Sequence, residues 1–118
     1  MKHIKWDEIS FEQVNAQFSR KIAWDGKIMI ARTDVERGYV VPPHSHDNEQ
    51  VTFVFSGKWR FKLEGKTVDV GPNEMIFIPA NVVHTVEAVE TLVAYDIFTP
   101  PREDWIKGED AYLRAEIA

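Results

Sequence analysis

The stretch Gly38-Tyr-Val-Val-Pro-Pro-His44-Ser-His46-Asp-Asn-Glu-Gln50, followed after six more residues by Gly57, decides the reading of this chain. Pro42 and Pro43 bias the backbone around them towards extended or polyproline geometry. On a strand, residues i and i+2 face the same side, so His44 and His46 can converge on one point. Neutral imidazoles are good ligands for Zn, Ni, Cu or Fe. A third histidine, His84, follows Pro79 by five residues and reads as part of a separate strand. Two imidazoles from one strand and one from a facing strand make a three-sided cage. The fourth histidine, His3, lies near the N-terminus and reads as an exposed end residue.

Outward from that stretch the chain reads as strands separated by glycine-containing turns. Ser19–Trp24 and Lys27–Val35 flank Asp25-Gly26, a two-residue hairpin signal. Gln50–Phe55 and Lys58–Leu63 flank Ser56-Gly57, and Glu64-Gly65-Lys66 leads into Thr67–Val70. Gly71-Pro72-Asn73 turns the chain into Met75–Ile78, and Val82–Val89 and Thr91–Phe98 complete the set. Short, β-branched and aromatic strands at this spacing predict an all-β sandwich or barrel. The prolines sit at strand ends, where a missing N–H does least harm. The two ends differ. Trp6–Phe18 has weak helical spacing, and Arg102–Glu116 predicts a short helix interrupted at Gly108.

The 118 residues fit one domain, with a core over about residues 19–100. Hydrophobic residues make up 44% and aromatics 12%, as expected of a globular chain rather than a disordered one. The net charge of -5 gives no basic footprint for nucleic acid. It also means that an anionic ligand needs local positive charge, from a metal or a placed arginine. With no cysteine, any metal must be held by nitrogen and oxygen. Met1–Arg20 has no apolar core of a signal peptide, and no apolar run is long enough to span a membrane, so the expected compartment is the cytoplasm.

At this point the sequence resembles the cupin superfamily. Its first motif is Gly, five residues, His-x-His, three or four residues, an acidic residue, six residues, Gly, matched here from Gly38 to Gly57. The second contains Pro-x-Gly-x-x-His, matched by Pro79-Ala-Asn81-Val-Val-His84. The resemblance implies a single cupin jelly-roll barrel with short flanking elements and one divalent metal ion. Two positions depart from the motifs. The usual Glu is Gln50, with Glu49 beside it; spacing to Gly57 and parity with His44 and His46 assign the ligand to Gln50. The motif glycine is Asn81, and Asn tolerates left-handed turns. An amide ligand in place of a carboxylate leaves a metal more electrophilic, which suits a Lewis acid.

Cupins host many chemistries, so the fold does not name the reaction. Tyr95-Asp96-Ile97-Phe98-Thr99-Pro100-Pro101-Arg102 is the next informative stretch. Asp96 and Phe98 share a strand face, and a carboxylate in an apolar strand needs a reason. Arg102, just past the strand, is placed to reach over the rim. Arg60 lies on a basic hairpin with Lys58, Lys62 and Lys66, read as a solvated face, although the even parity of Arg60 would let it touch a ligand.

His-x-His-x-x-x-Gln with Asp-x-Phe-x-x-x-Arg resembles the small pectin-degradation cupins. These open the ring of 4,5-unsaturated monouronates from pectin and alginate to linear 5-keto-4-deoxyuronates. The resemblance implies metal ligands His44, His46, Gln50 and His84, and a catalytic set of Asp96, Phe98 and Arg102. It also implies a small anionic sugar as partner and a homodimer as assembly. Two other classes remain open: a cupin dioxygenase with a redox metal, and a non-catalytic sugar-binding cupin.

Overall fold

A computed structural model describes residues 1–114. After a three-residue 3-10 turn at Trp6–Glu8 come eight strands and two short helices. The strands are β1 (Glu12–Asn15), β2 (Phe18–Asp25), β3 (Ile28–Val35), β4 (Val40–His44), β5 (Glu49–Leu63), β6 (Lys66–Val70), β7 (Met75–Ile78) and β8 (His84–Thr99). The helices are α1 (Glu103–Lys107) and α2 (Ala111–Arg114).

The expected all-β jelly roll is what the chain forms. All pairings are antiparallel, and β5 and β8 pair from Glu49 opposite Thr99 to Leu63 opposite His84. The far half of β8 also pairs with β3, and the near half of β5 with β7. The near half of β8 pairs with β4, and the far half of β5 with β6. Two sheets therefore share one pair of long strands, and each half of that pair is flanked by different partners.

Several expectations are corrected here. Ser56-Gly57 is not a turn between two strands but an irregularity within β5, and Val82–Val89 and Thr91–Phe98 are largely one strand, β8. The register moves by one residue between Val54 opposite Ala94 and Trp59 opposite Ala88. A one-residue shift exchanges the two faces of a strand. Gln50, Thr52 and Val54 thus face inward before it, and Trp59 and Phe61 after it. Arg60 consequently faces outward, where its Nε donates to Asp69 at 2.8 Å. The helical spacing in Trp6–Phe18 yields only the Trp6–Glu8 turn; Glu12–Asn15 is instead an edge strand on β2. The Asp25-Gly26 hairpin forms one residue later than expected, with Asp25 paired to Ile28 across Gly26-Lys27.

The C-terminal helix expectation holds as far as residue 114; residues 115 and 116 lie outside the described part. Gly108, left-handed at φ 70°, ends α1. The chain then doubles back, and α2 packs on β1 and β4. Ion pairs hold it there. Arg20 and Asp110, both fully buried, lie 2.6 Å apart, and Arg114 reaches Asp110 at 2.7 Å and Glu12 at 2.8 Å. The Leu113 carbonyl accepts hydrogen bonds from Asn15 Nδ2 at 2.8 Å and Tyr39 Oη at 2.6 Å. Met29, Ala31, Val54, Phe61, Leu92, Ala94 and Phe98 make the centre of the core.

Gly57 has φ 80°, and a Cβ there would lie 2.2 Å from the Thr91 carbonyl oxygen and 2.6 Å from Leu92 Cα. Gly57→Ala is expected to destabilise the protein by about 3 kcal/mol or more, since the overlap is with backbone that cannot yield. Gly65→Ala, at φ 71° in open space, is expected to cost only about 1 kcal/mol. Urea unfolding of both variants checks the contrast.

Candidate functional site

His44 and His84 lie opposite each other where β4 pairs with β8, and their ring centroids are 4.1 Å apart. His46 stands just beyond β4, with its ring centroid 5.1 Å from that of His84. Its loop is fixed by the Asn81 N–H, which donates to the His46 carbonyl at 2.8 Å. Asn81 achieves this in the left-handed conformation, φ 66°, as its place in the motif requires.

Each imidazole is oriented by a backbone carbonyl two residues away. Nδ1 of His44 donates to Pro42 O at 2.8 Å, Nδ1 of His46 to Asn48 O at 3.0 Å, and Nδ1 of His84 to Val82 O at 2.9 Å. A proton on Nδ1 leaves the lone pair on Nε2. One potential ligand atom from each ring lies within 4.8 Å of the other two. Burial lowers all three imidazole pKa values, those of His44 and His46 to about 4. The rings are therefore neutral near pH 7, the form that binds metal.

Gln50 completes the group, and Glu49 does not. Glu49 is exposed on the outer face of β5, whereas Gln50 points inward with Oε1 3.1 Å from His46 Nε2. Both atoms carry lone pairs and no proton in this arrangement. Two acceptors facing each other are unfavourable unless a cation lies between them. This donor set, three imidazole nitrogens and an amide oxygen with the histidines held through their second nitrogens, fits a divalent transition metal.

Asp96 and Phe98 both point into the barrel, opposite Thr52 and Gln50 respectively in the β5–β8 register. Burial raises the Asp96 pKa to about 6, against the opposing effects of the Thr52 hydrogen bond, Arg102 and Gln50. Phe98 stands edge-on to His46 at 6.0 Å and to Trp105 at 5.1 Å.

Arg102 was expected at the rim and is instead 3% exposed, covered by the two helices. Its guanidinium lies 5.1 Å from the Phe98 ring centroid and 5.0 Å from that of Trp105. Nε and Nη2 donate to Asp104 at 3.0 and 2.8 Å, and Nη2 also donates to the Tyr112 hydroxyl. Among the described residues, Nη1 is the arm left for a ligand.

Thr52, Trp105 and Tyr112 are among the further residues that line this interior. Thr52 shares its inward face with Gln50 by simple alternation, a signal open to sequence reading. Tyr112 depends on the chain doubling back at Gly108, which local pattern does not announce. Its ring centroid lies 5.1 Å from that of His44. Tyr112 and Arg102 line both the interior and a surface cleft formed with Ser45, His46 and Glu103, so together they form the wall between the two.

Among known families, the Cupin domain matches residues 31–98, more than half of the chain. No curated protein matches. Among solved structures, KdgF from Halomonas sp. superposes with a TM-score of 0.80 at 27% identity, covering 89% of this chain and 98% of its own. An RmlC-like cupin from Shewanella frigidimarina gives 0.81 at 20% identity, over 89% and 96%. Oxalate decarboxylase of Bacillus subtilis gives 0.72 at 13% identity, over 82% of this chain and 29% of its own. At these last two identities the likeness is one of fold.

Metal binding is expected at one divalent ion per chain in calorimetric titration with Ni(II) or Zn(II). Ion present at about 100 times its Kd should stabilise the fold by about 2.7 kcal/mol. His84→Ala is expected to remove most of that gain in a thermal melt.

Proposed function

The chain belongs to the cupin family, and from that premise we propose that it opens the ring of 4,5-unsaturated monouronates with the help of a divalent metal. The observation that carries the reading is Asp96, a buried carboxylate beside the histidine cluster and across the strand pair from Gln50 and Thr52. Similarity to KdgF, a pectin-degradation cupin, supports the same substrate class.

The substrate is a cyclic hemiacetal whose C4=C5 bond is an enol ether beside a carboxylate. Ring opening is an isomerisation. The anomeric hydroxyl loses its proton, C1 becomes an aldehyde, the C1–O5 bond breaks, and the enolate so released takes a proton at C4. Asp96 is the proposed base for the first transfer and acid for the second. Its raised pKa of about 6 suits both roles near neutral pH. A divalent ion held by His44, His46, Gln50 and His84 would supply Lewis-acid stabilisation of the developing enolate charge. Arg102 offers Nη1 to the substrate carboxylate; a bidentate pairing would also require the Tyr112 hydroxyl to leave Nη2. Phe98 supports one face of the sugar. The ion and Arg102 supply the local positive charge that a chain of net charge -5 needs for an anionic substrate.

The cytoplasm is the proposed compartment. No helix among the described residues is long and apolar enough to cross a membrane. A second copy of the chain is the proposed partner. Ile30, Ile97, Val51 and Phe77 occupy consecutive register positions across β3, β8, β5 and β7, and Phe77 is 71% exposed. Light scattering is expected to report the mass of two chains, and Phe77→Glu to shift the protein towards one.

For the reaction, ultraviolet absorbance of freshly made unsaturated galacturonate should fall faster with protein than without, and chelator should abolish the difference. Asp96→Asn is expected to lower kcat by about 100-fold or more. Full activity in that variant would remove Asp96 from proton transfer. Oxygen consumption coupled to substrate loss would favour a dioxygenase instead.

A further inference from the structure

Thr52 is fully buried near the start of β5, between the proposed metal ligand and the proposed acid–base residue. Its hydroxyl makes two recorded contacts. Gln50 Nε2 donates to Thr52 Oγ1 at 2.9 Å, and Thr52 Oγ1 donates to Asp96 Oδ1 at 2.5 Å. A hydroxyl has one proton to give and lone pairs to receive. An ionised carboxylate only accepts, so the single proton goes to Asp96. The lone pair then takes the amide N–H of Gln50, and this turns Gln50 Oε1 towards His46. The direction of each bond is set by the one after it, ending at the carboxylate.

We propose that Thr52 is a positioning residue whose one hydroxyl aims the Gln50 oxygen at the histidines and steadies the Asp96 carboxylate. This accounts for the amide at position 50, where the related motif carries an acid. A glutamate there would be a second acceptor competing for one proton, and a second buried anion close to Asp96. One carboxylate would then be left short of a donor, at a cost typical of unsatisfied buried groups. Glutamine removes both difficulties because it donates to the hydroxyl and accepts at the metal position. The interior therefore requires the sequence Gln50-x-Thr52 as a unit, with Asp96 opposite.

The inference rests on the proposed uronate reaction for its kinetic arm only. Two variants separate the hydroxyl from the space it fills. Thr52→Val keeps the shape and loses the hydroxyl; Thr52→Ser keeps the hydroxyl. Titration with Ni(II) is expected to give affinity lower by about 10- to 100-fold for Thr52→Val and close to the parent for Thr52→Ser. In ¹⁵N-labelled protein the Gln50 side-chain amide signals, identified by their loss in Gln50→Glu, should move in Thr52→Val and stay in Thr52→Ser. With unsaturated galacturonate, Thr52→Val should lower kcat more than it raises KM, and should add little to Asp96→Asn. In the Gln50→Glu background, Thr52→Val should cost far less activity than in the parent, since the donor chain is already broken. Parent-like Ni(II) affinity and unmoved Gln50 signals in a folded Thr52→Val protein would overturn the proposal. Activity absent from the parent itself would sink the uronate reading and leave the metal and amide measurements to decide Thr52. If Thr52→Val fails to fold, loss of Ni(II) affinity in a folded Thr52→Ser would overturn the proposal equally.

Discussion

Pairing of β5 with β8 is the constraint on which the barrel and its interior both depend. The two strands run the length of the molecule and belong to both sheets, so each must present an inward face to each sheet in turn. The one-residue shift near Gly57 lets β5 do so by exchanging its faces midway. Gln50 and Thr52 stay inside on one half, and Trp59 and Phe61 on the other. Gly57 is required because Thr91 and Leu92 of the neighbouring strand leave no room for a side chain. The same register sets Thr52 against Asp96 and Gln50 against Phe98, so the chemistry inherits its alignment from backbone pairing.

A buried interior is commonly filled with hydrocarbon. Here it contains three imidazoles, an amide, a hydroxyl, a carboxylate and a guanidinium, each with a hydrogen-bond partner. Burial drives the histidines neutral and Asp96 upward, so the pocket carries little charge of its own beyond Arg102 and, when ionised, Asp96. That balance leaves the converging lone pairs of His46 and Gln50 as the unsatisfied feature, and a cation answers it. The ion pairs of Arg20, Asp110, Glu12 and Arg114 lie outside this cluster and serve to hold α2 over it. The Arg20–Asp110 pair, buried on both sides, is costly to break singly, by about 3–5 kcal/mol, which fits a helix of only four residues staying in place.

Features that depend on a few neighbouring residues were legible in the sequence. The His44-Ser45-His46 spacing, the left-handed Asn81, the helix stop at Gly108 and the shared face of Asp96 and Phe98 are all local. Ser56-Gly57 is ambiguous in sequence because a positive-φ glycine serves a hairpin turn and a strand irregularity alike, and only the partner strand distinguishes them. The parity of Arg60 does not carry over from Gln50 for the same reason, since the register shift lies between them. Trp6–Phe18 has apolar residues at mixed spacing, and pairing with β2 outweighed a weak helical preference. The burial of Arg102 and the presence of Tyr112 follow from the chain doubling back after α1, a long-range event without a local mark. Thr52 follows from Gln50 by simple alternation, but threonine is common in strands and its type alone does not mark a role.

The three imidazoles are aimed by main-chain oxygens of Pro42, Asn48 and Val82 rather than by side chains. Main-chain oxygens persist through any substitution that preserves the backbone path. Those three ligands are thereby insulated from drift in their surroundings, and lineages can vary nearby residues without retuning them. Gln50 alone takes its orientation from a replaceable side chain. Divergence among relatives in which ion they prefer, and how strongly it draws electrons, should accordingly concentrate at positions 50 and 52, while the histidine corner stays fixed.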